Sequence, residues 1–251
     1  MEPIFCKEFE ITDLYVDCFG RLKPSAILFL AQETAGHHCV ELGFSWEQLA
    51  QKGLFWAVVR HRVQITRLPR RGETVIAETW PMPTTRTAYP RALLIRDREG
   101  NELLQLISLW VLMDLNSRTM ILPGKSGVEV TGTLRGTELT MPRAIAAGTM
   151  ERRVARTVLF SDVDRNGHMN NTRYLEWIGD LLPAAFHKDH TPREFTVCYH
   201  SEALEGEPLD IHYEMKEEGL LQVDAWRENE AVSGNHHRVF VAQLRYENEI
   251  L

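Results

Sequence analysis

The sequence predicts an α+β chain of two similar units, each a long helix wrapped by an antiparallel β-sheet. Three observations predict it. A helix-period run is followed by a series of strand-like runs, and this order occurs twice. Each helix-period run is preceded by a turn with Asp and Gly at the same spacing. Between the two series, from about Leu122 to Met150, Gly, Thr, Pro and Ala dominate and no period survives. The expected organisation is a first unit over residues 1–121, a linker over 122–150 and a second unit over 151–251.

In the first unit, Phe5 to Ile11 alternates and reads as a strand. Pro24 is a good first helical residue because its missing N–H would be unpaired there anyway. From it, Ile27, Leu30, Ala31, Thr34, Ala35 and His38 fall on one helical face, and Gly43 suits the end. Phe55 to Thr66, Thr74 to Trp80, Ala88 to Ile95 and Leu103 to Leu115 follow as strands. Asp97 to Asn101 forms a hairpin turn. Leu103 to Leu115 is apolar nearly throughout, which predicts burial on both faces.

The second unit reads as a strand over Arg152 to Phe160, a turn, and a helix from about Asn171. Its apolar positions Tyr174, Leu175, Ile178, Leu181, Leu182 and Ala185 recur at helical offsets. Strands follow at Glu194 to Ser201, Leu209 to Lys216, Leu220 to Arg227 and Arg238 to Glu247. The repeat shows in individual residues. Asp17-Cys18-Phe19-Gly20-Arg21 overlays Asp164-Arg165-Asn166-Gly167-His168, and Arg71-Gly72-Glu73 echoes Glu205-Gly206-Glu207. Phe19 and Arg21 thus stand where the second copy has Asn166 and His168, as if duplication kept the polar chemistry in one copy.

A formal net charge of −7 argues against a nucleic-acid partner. Cys6, Cys18, Cys39 and Cys198 are scattered without CxxC spacing, which reads as reduced cytosolic thiols. Met1 to Glu10 carries no apolar run of signal-peptide length, and no segment is apolar for long enough to span a membrane. The expectation is a cytoplasmic protein. His37-His38 and His236-His237 are adjacent pairs whose side chains diverge and lack a carboxylate motif, so no metal and no cofactor are expected.

Chemistry concentrates in Ser161 to Tyr174, with Asp162, Asp164, Asn166, His168, Asn170 and Asn171. Asp164, Asn166 and His168 sit at alternate positions, which in an extended stretch point one way. Asn170 or Asn171 is suited to cap the following helix, whose first N–H groups could polarise a carbonyl. Asp162 reads as a turn or cap residue.

The order strand–turn–helix–sheet, twice, with Asp-x-Asn-x-His before the second helix, resembles the acyl-ACP thioesterases of plants and bacteria. Tyr199-His200-Ser201-Glu202, with Gly206 close behind, is similar to the family's Y-x-x-E element. Phe55-Trp56 with Arg60, Thr79-Trp80, and Ser108 to Val111 with Asp114 look like its N-terminal stretches. The resemblance covers roughly Phe5 to Arg245. It implies a double hotdog fold and an active site of Asp164, Asn166, His168 and Glu202. There is one departure: Ala203 stands where plant members carry Cys, so a cysteine nucleophile is unavailable there.

The resemblance also implies hydrolysis of fatty acyl-ACP to free fatty acid, with acyl carrier protein as substrate carrier. Glu202 would act as general base on water, with direct nucleophilic attack as the second option, and Asn166 would hold water or carbonyl. His168 would bond the reacting groups, Asp164 would orient its neighbours, and N–H groups near Asn170 and Asn171 would polarise the carbonyl. An acidic carrier needs a basic patch. Arg67, Arg70 and Arg71 are the first candidate; Arg91, Arg96 and Arg98, and Arg152, Arg153 and Arg156, are others. The competing readings are an acyl-CoA thioesterase, a hotdog dehydratase and a non-catalytic acyl-binding protein. Two fused units permit a monomer, and exposed sheet edges permit a homodimer.

Overall fold

The structure is a computed structural model that describes residues 3–133, 135, 139–146, 148–227 and 237–249. Chain contacts divide it into two compact units, Met1–Pro142 and Arg143–Leu251.

The first unit begins with strand β1 (Phe5–Glu10) and helix α1 (Pro24–Glu41). Pro24 opens α1 as its sequence position suggests, and Ile27, Leu30, Ala31, Thr34, Ala35 and His38 are all buried. The helix stops at Leu42, and Gly43 follows at φ 80°, a left-handed conformation that suits glycine. A short helix, α2 (Trp46–Ala50), was not anticipated. The sequence nevertheless carries its signal: Ser45 accepts from the Gln48 N–H while the Gln48 side chain accepts from the Ser45 N–H.

Strands β2 (Leu54–Ile65), β3 (Thr74–Pro81), β4 (Tyr89–Asp97) and β5 (Glu102–Asp114) follow. The two-residue β6 (Met120–Ile121) pairs with β5, and one turn of helix, α3 (Pro123–Ser126), closes the series. The antiparallel order is β1-β3-β4-β5-β2. Leu103, Leu104, Leu106, Ile107, Val111 and Leu112 are buried, so β5 is covered on both faces. Part of the stretch read as linker packs as core instead: Val128 and Leu139 are 4% and 5% exposed.

The second unit carries β7 (Arg152–Thr157), α4 (Arg173–Gly179), α5 (Ala184–Asp189), β8 (His190–Tyr199), β9 (Pro208–Met215), β10 (Leu220–Arg227) and β11 (Arg238–Asn248). Their antiparallel order is β8-β11-β10-β9-β7. The long helix expected after the motif is broken into α4 and α5. Pro183 explains the break: it lacks an N–H, disfavours helix at Leu182, and caps α5. The apolar face still packs, since Tyr174, Leu175, Trp177 and Ile178 are buried.

The duplication is legible bond for bond. In the first copy Asp17 N–H donates to the Arg21 carbonyl at 2.8 Å and Gly20 N–H to the Asp17 carbonyl at 3.0 Å. In the second, Asp164 N–H donates to the His168 carbonyl at 2.8 Å and Gly167 N–H to the Asp164 carbonyl at 3.0 Å. Gly20 and Gly167 adopt φ 74° and 82°. Arg70 N–H bonds the Glu73 carboxylate, and Leu204 N–H likewise bonds Glu207. Counting back from these matched turns, Leu68 holds the place of Glu202. Phe19, Arg21 and Leu68 thus replace Asn166, His168 and Glu202, so the acid–imidazole pair of the second turn has no counterpart at the first.

Candidate active site

The Asp164–His168 stretch is a tight reversal, not the extended run its alternation suggested. Val163 pairs with Met169, and Gly167 at φ 82° takes the left-handed conformation of the turn without the backbone strain another residue would carry. Asp164 closes the turn from inside, because Asn166 N–H donates to Asp164 Oδ1 at 2.8 Å. Asn166 Nδ2 lies 3.4 Å from Asp164 Oδ2. The fold-back therefore pairs the Asn166 side chain with Asp164 and lays the His168 backbone against that of Asp164.

The fourth predicted residue arrives from the end of β8. Met169 N–H donates to the Ala203 carbonyl at 2.8 Å, which docks the turn against Glu202. His168 Nε2 then lies 3.1 Å from Glu202 Oε2. An ionised carboxylate only accepts, so this contact places a proton on Nε2. The His168 side chain is 13% exposed and that of Glu202 38%, so the imidazole is shielded while the carboxylate still meets solvent. Ala203 is fully buried and offers no side-chain chemistry where plant relatives were expected to differ.

Two residues to which the sequence reading assigned no role of their own hold this arrangement. Arg227, from the end of β10, donates to the Glu202 carbonyl and, at 2.9 Å, to Ser201 Oγ. Its Nε lies 3.4 Å from Glu207 Oε1. No local signal marks Arg227, which lies 25 residues beyond Glu202. Tyr199, the first residue of the Y-x-x-E element, donates its hydroxyl to the Asn171 carbonyl at 2.9 Å. Its ring sits 5.4 Å from that of Tyr174, which in turn packs edge-on to Phe240. Burial pushes the Tyr174 phenol well above its ordinary pKa, and that of Tyr199 likewise, so neither is a base at neutral pH.

Neither Asn170 nor Asn171 is the helix cap. The helix cap is Thr172, and Asn170 Oδ1 accepts from Thr172 N–H and Oγ1, both at 2.9 Å. Asn170 N–H is already committed to the Asp162 carbonyl, so it cannot reach a substrate oxygen. Asn171 Oδ1 is buried without a hydrogen-bond partner among the described residues. Asp162 accepts from Leu159 N–H at 3.0 Å, as a turn residue.

The basic clusters separate. Arg67, Arg70 and Arg71 are exposed, but Arg67 pairs with Glu73 at 2.8 Å and Arg71 with Asp13. The second cluster does not exist as a surface. Arg91 is buried beneath α1, because its place in β4 puts its side chain on the core face; Arg96 pairs with Glu78 and Glu102, and Arg98 with Glu8. Arg152, Arg153 and Arg156 do share the edge strand β7. Among the described residues no group of three His, Cys, Asp or Glu could hold a metal; His236 lies outside them. Among the described residues no helix is long and apolar enough to cross a membrane.

Comparison with known proteins defines first the fold. The acyl-ACP thioesterase of Bacteroides thetaiotaomicron superposes with a TM-score of 0.87 at 24% identity, covering 98% of each chain. The 12:0-ACP thioesterase of Umbellularia californica gives 0.82 at 21%, covering 99% of each. The double hotdog architecture follows from these. Family models for the acyl-ACP thioesterase N-terminal domain and C-terminal domain match residues 2–122 and 147–249. The chain belongs to the acyl-ACP thioesterase family. It is 25% identical over 217 residues to a chloroplastic palmitoyl-acyl carrier protein thioesterase of Gossypium hirsutum, over 79% of this chain. A dodecanoyl-[acyl-carrier-protein] hydrolase of Cinnamomum camphora is 26% identical over the same share. The chain spans about half the length of these curated relatives, 52% and 56%.

Proposed function

We propose that this chain hydrolyses the thioester of fatty acyl-[acyl carrier protein], releasing free fatty acid and the carrier thiol. The observation that carries this reading is the 3.1 Å contact between His168 and Glu202, built on a turn that the first copy reproduces without the reactive groups. Glu202 is the general base. His168 Nε2–H holds Oε2, leaving the other carboxylate oxygen to take a proton from water as it attacks the thioester carbon. Asn166, steadied by Asp164, binds the water or the carbonyl oxygen. The C–S bond breaks, and the proton gained by Glu202 passes through His168 to the leaving thiolate. Asn171 is the remaining backbone donor for the carbonyl at the helix start. The names of the relatives and the matched family models support the acyl-ACP substrate class.

Carrier docking belongs, on this reading, to Arg67, Arg70 and Arg71. Their exposed pairs with Glu73 and Asp13 are worth little and exchange readily for carboxylates on an acidic partner. Arg70→Glu is expected to raise KM for acyl-ACP while sparing a small thioester. Cytoplasmic location fits the scattered cysteines, none of which is in a disulfide.

The test is thiol release from a panel of saturated acyl-ACPs and matched acyl-CoAs. Faster turnover on acyl-ACP supports the proposal. Equal or faster turnover on acyl-CoA points to a CoA-directed enzyme. Binding without release leaves a non-catalytic acyl-binding protein. A saturated chain has no 3-hydroxyl to eliminate, so release also separates hydrolysis from dehydration.

A further inference from the structure

The two matched turns use an arginine differently. Their backbone bonds correspond one for one. Leu22 N–H donates to the Pro69 carbonyl and Met169 N–H to the Ala203 carbonyl, both at 2.8 Å. Ile11 N–H donates to the Glu73 carbonyl at 2.8 Å, and Val158 N–H to the Glu207 carbonyl at 3.0 Å. In this register Arg67, Leu68 and Glu73 match Ser201, Glu202 and Glu207. In the first copy the arginine is local. Arg67 grips the Glu73 carboxylate with both terminal nitrogens, at 2.8 and 2.9 Å. A two-point grip is the firmest a guanidinium offers a carboxylate, so this arginine serves the turn itself. The Leu68 carbonyl lies 3.5 Å from Arg67 Nη1, at the outer limit of a hydrogen bond.

In the second copy Ser201 stands in place of the local arginine, and Arg227 arrives from β10. Glu207 Oε1 meets only its Nε, at 3.4 Å. The terminal nitrogens are turned instead to the Glu202 carbonyl and to Ser201 Oγ. Ser201 Oγ in turn donates to the Arg238 carbonyl on β11 at 3.3 Å. Glu207 Oε2 accepts from Leu204 N–H at 3.1 Å. Glu207 thus ties the guanidinium to the loop that follows Glu202, and Ser201 ties it to β11. The first copy forms the same turn without a distant arginine. What the second copy adds is the firm bond to the main chain of Glu202, the residue that faces His168.

We propose that Glu207 and Ser201 are positioning residues for Glu202, acting through Arg227. They aim the guanidinium at the Glu202 carbonyl and so fix the Glu202 carboxylate against His168 Nε2. The proposal rests on the reading of Glu202 as general base, while the brace itself is measured without turnover.

Three variants of the full chain test it. Glu207→Gln keeps an acceptor for Leu204 N–H and removes the charge that orients Arg227. Ser201→Ala removes the link to β11. The double variant Ser201→Arg with Arg227→Met transplants the first copy's arrangement. Two readouts are taken beside Tm: kcat and KM for thiol release from acyl-ACP, and the NMR signal of His168 Nε2, which reports its bond to Glu202. Each single substitution is expected to lower kcat roughly three- to tenfold with KM nearly unchanged, and to move the His168 signal. In the double variant the new arginine pairs with Glu207 as Arg67 does with Glu73. Its Tm should return to near the wild-type value while kcat and the His168 signal stay displaced. Recovery of kcat and signal together with Tm would show that the brace only holds the loop together, and overturns the proposal. A His168 signal unmoved in both single variants overturns it too. A signal that moves as expected, in a protein whose wild type releases no thiol, supports the brace and removes Glu202 as base. Should the double variant fail to fold, the two single variants decide by the same signal.

Discussion

His168 Nε2 stands 3.1 Å from Glu202 Oε2, and the backbone that brings them together is held by a residue from a third segment. Arg227 grips the Glu202 carbonyl and the Ser201 hydroxyl at once. It touches the main chain of Glu202, not its carboxylate, so its role is positioning. Arg227→Met is expected to lower kcat about tenfold with little change in KM, as a small displacement of the base is costly. Arg227→Lys should recover part of the rate by keeping one donor. A change in KM alone, with kcat intact, would remove Arg227 from this role.

The paired turns offer an internal control. Gly20 and Gly167 have nearly the same positive φ and no atom within contact of an added Cβ, so alanine at either costs backbone strain alone. Each substitution should destabilise by about 1 kcal/mol. Only Gly167→Ala should also reduce kcat, since only the second turn carries Asn166 and His168. Melting temperatures and rates of both variants, measured side by side, check this.

Tyr199→Phe removes the hydroxyl that satisfies the Asn171 carbonyl. The bond is part-buried, so its loss is expected to cost about 1 kcal/mol, the ordinary net worth of a hydrogen bond. Chemical denaturation should show that loss, with the midpoint shifted and the slope unchanged.

His61 makes stability depend on pH. Its pKa falls from 6.5 to about 3 in the folded chain because burial disfavours the imidazolium. Between those values the unfolded chain binds a proton that the native state excludes. Stability is therefore lost as pH falls below about 6.5, by up to about 1.4 kcal/mol per pH unit. Denaturation series at several pH values should show this slope reduced in His61→Gln. An unchanged slope would mean another group dominates.

Much of this was legible in the sequence. The strands were, because Val, Ile, Leu and Trp mark them and Pro and Gly bound them. Asp164, Asn166, His168 and Glu202 were named by motif, and the structure pairs Asn166 with Asp164 and His168 with Glu202, yet the spacing of the first three suggested an extended run where the structure has a reversal. The signal for the reversal was present in Gly167, and in the matching Gly20. Pro183 likewise announced the break between α4 and α5, but the apolar period runs through it. Arg91 was read as surface because Arg usually is; its place among Tyr89, Pro90, Ala92, Leu93 and Leu94 was the better guide. Arg227 was beyond reach, since its partners meet it only after β9 and β10 pair with each other.

The central claim is that Glu202 activates water for thioester hydrolysis. Thiol release from saturated acyl-ACP by wild type and Glu202→Gln, both shown to be folded, tests it most directly. The substitution keeps the size of the side chain and a contact for His168 while removing the base, so turnover should fall by about 10²–10⁴-fold with substrate binding retained. A Glu202→Gln protein that releases thiol at near the wild-type rate would contradict the account.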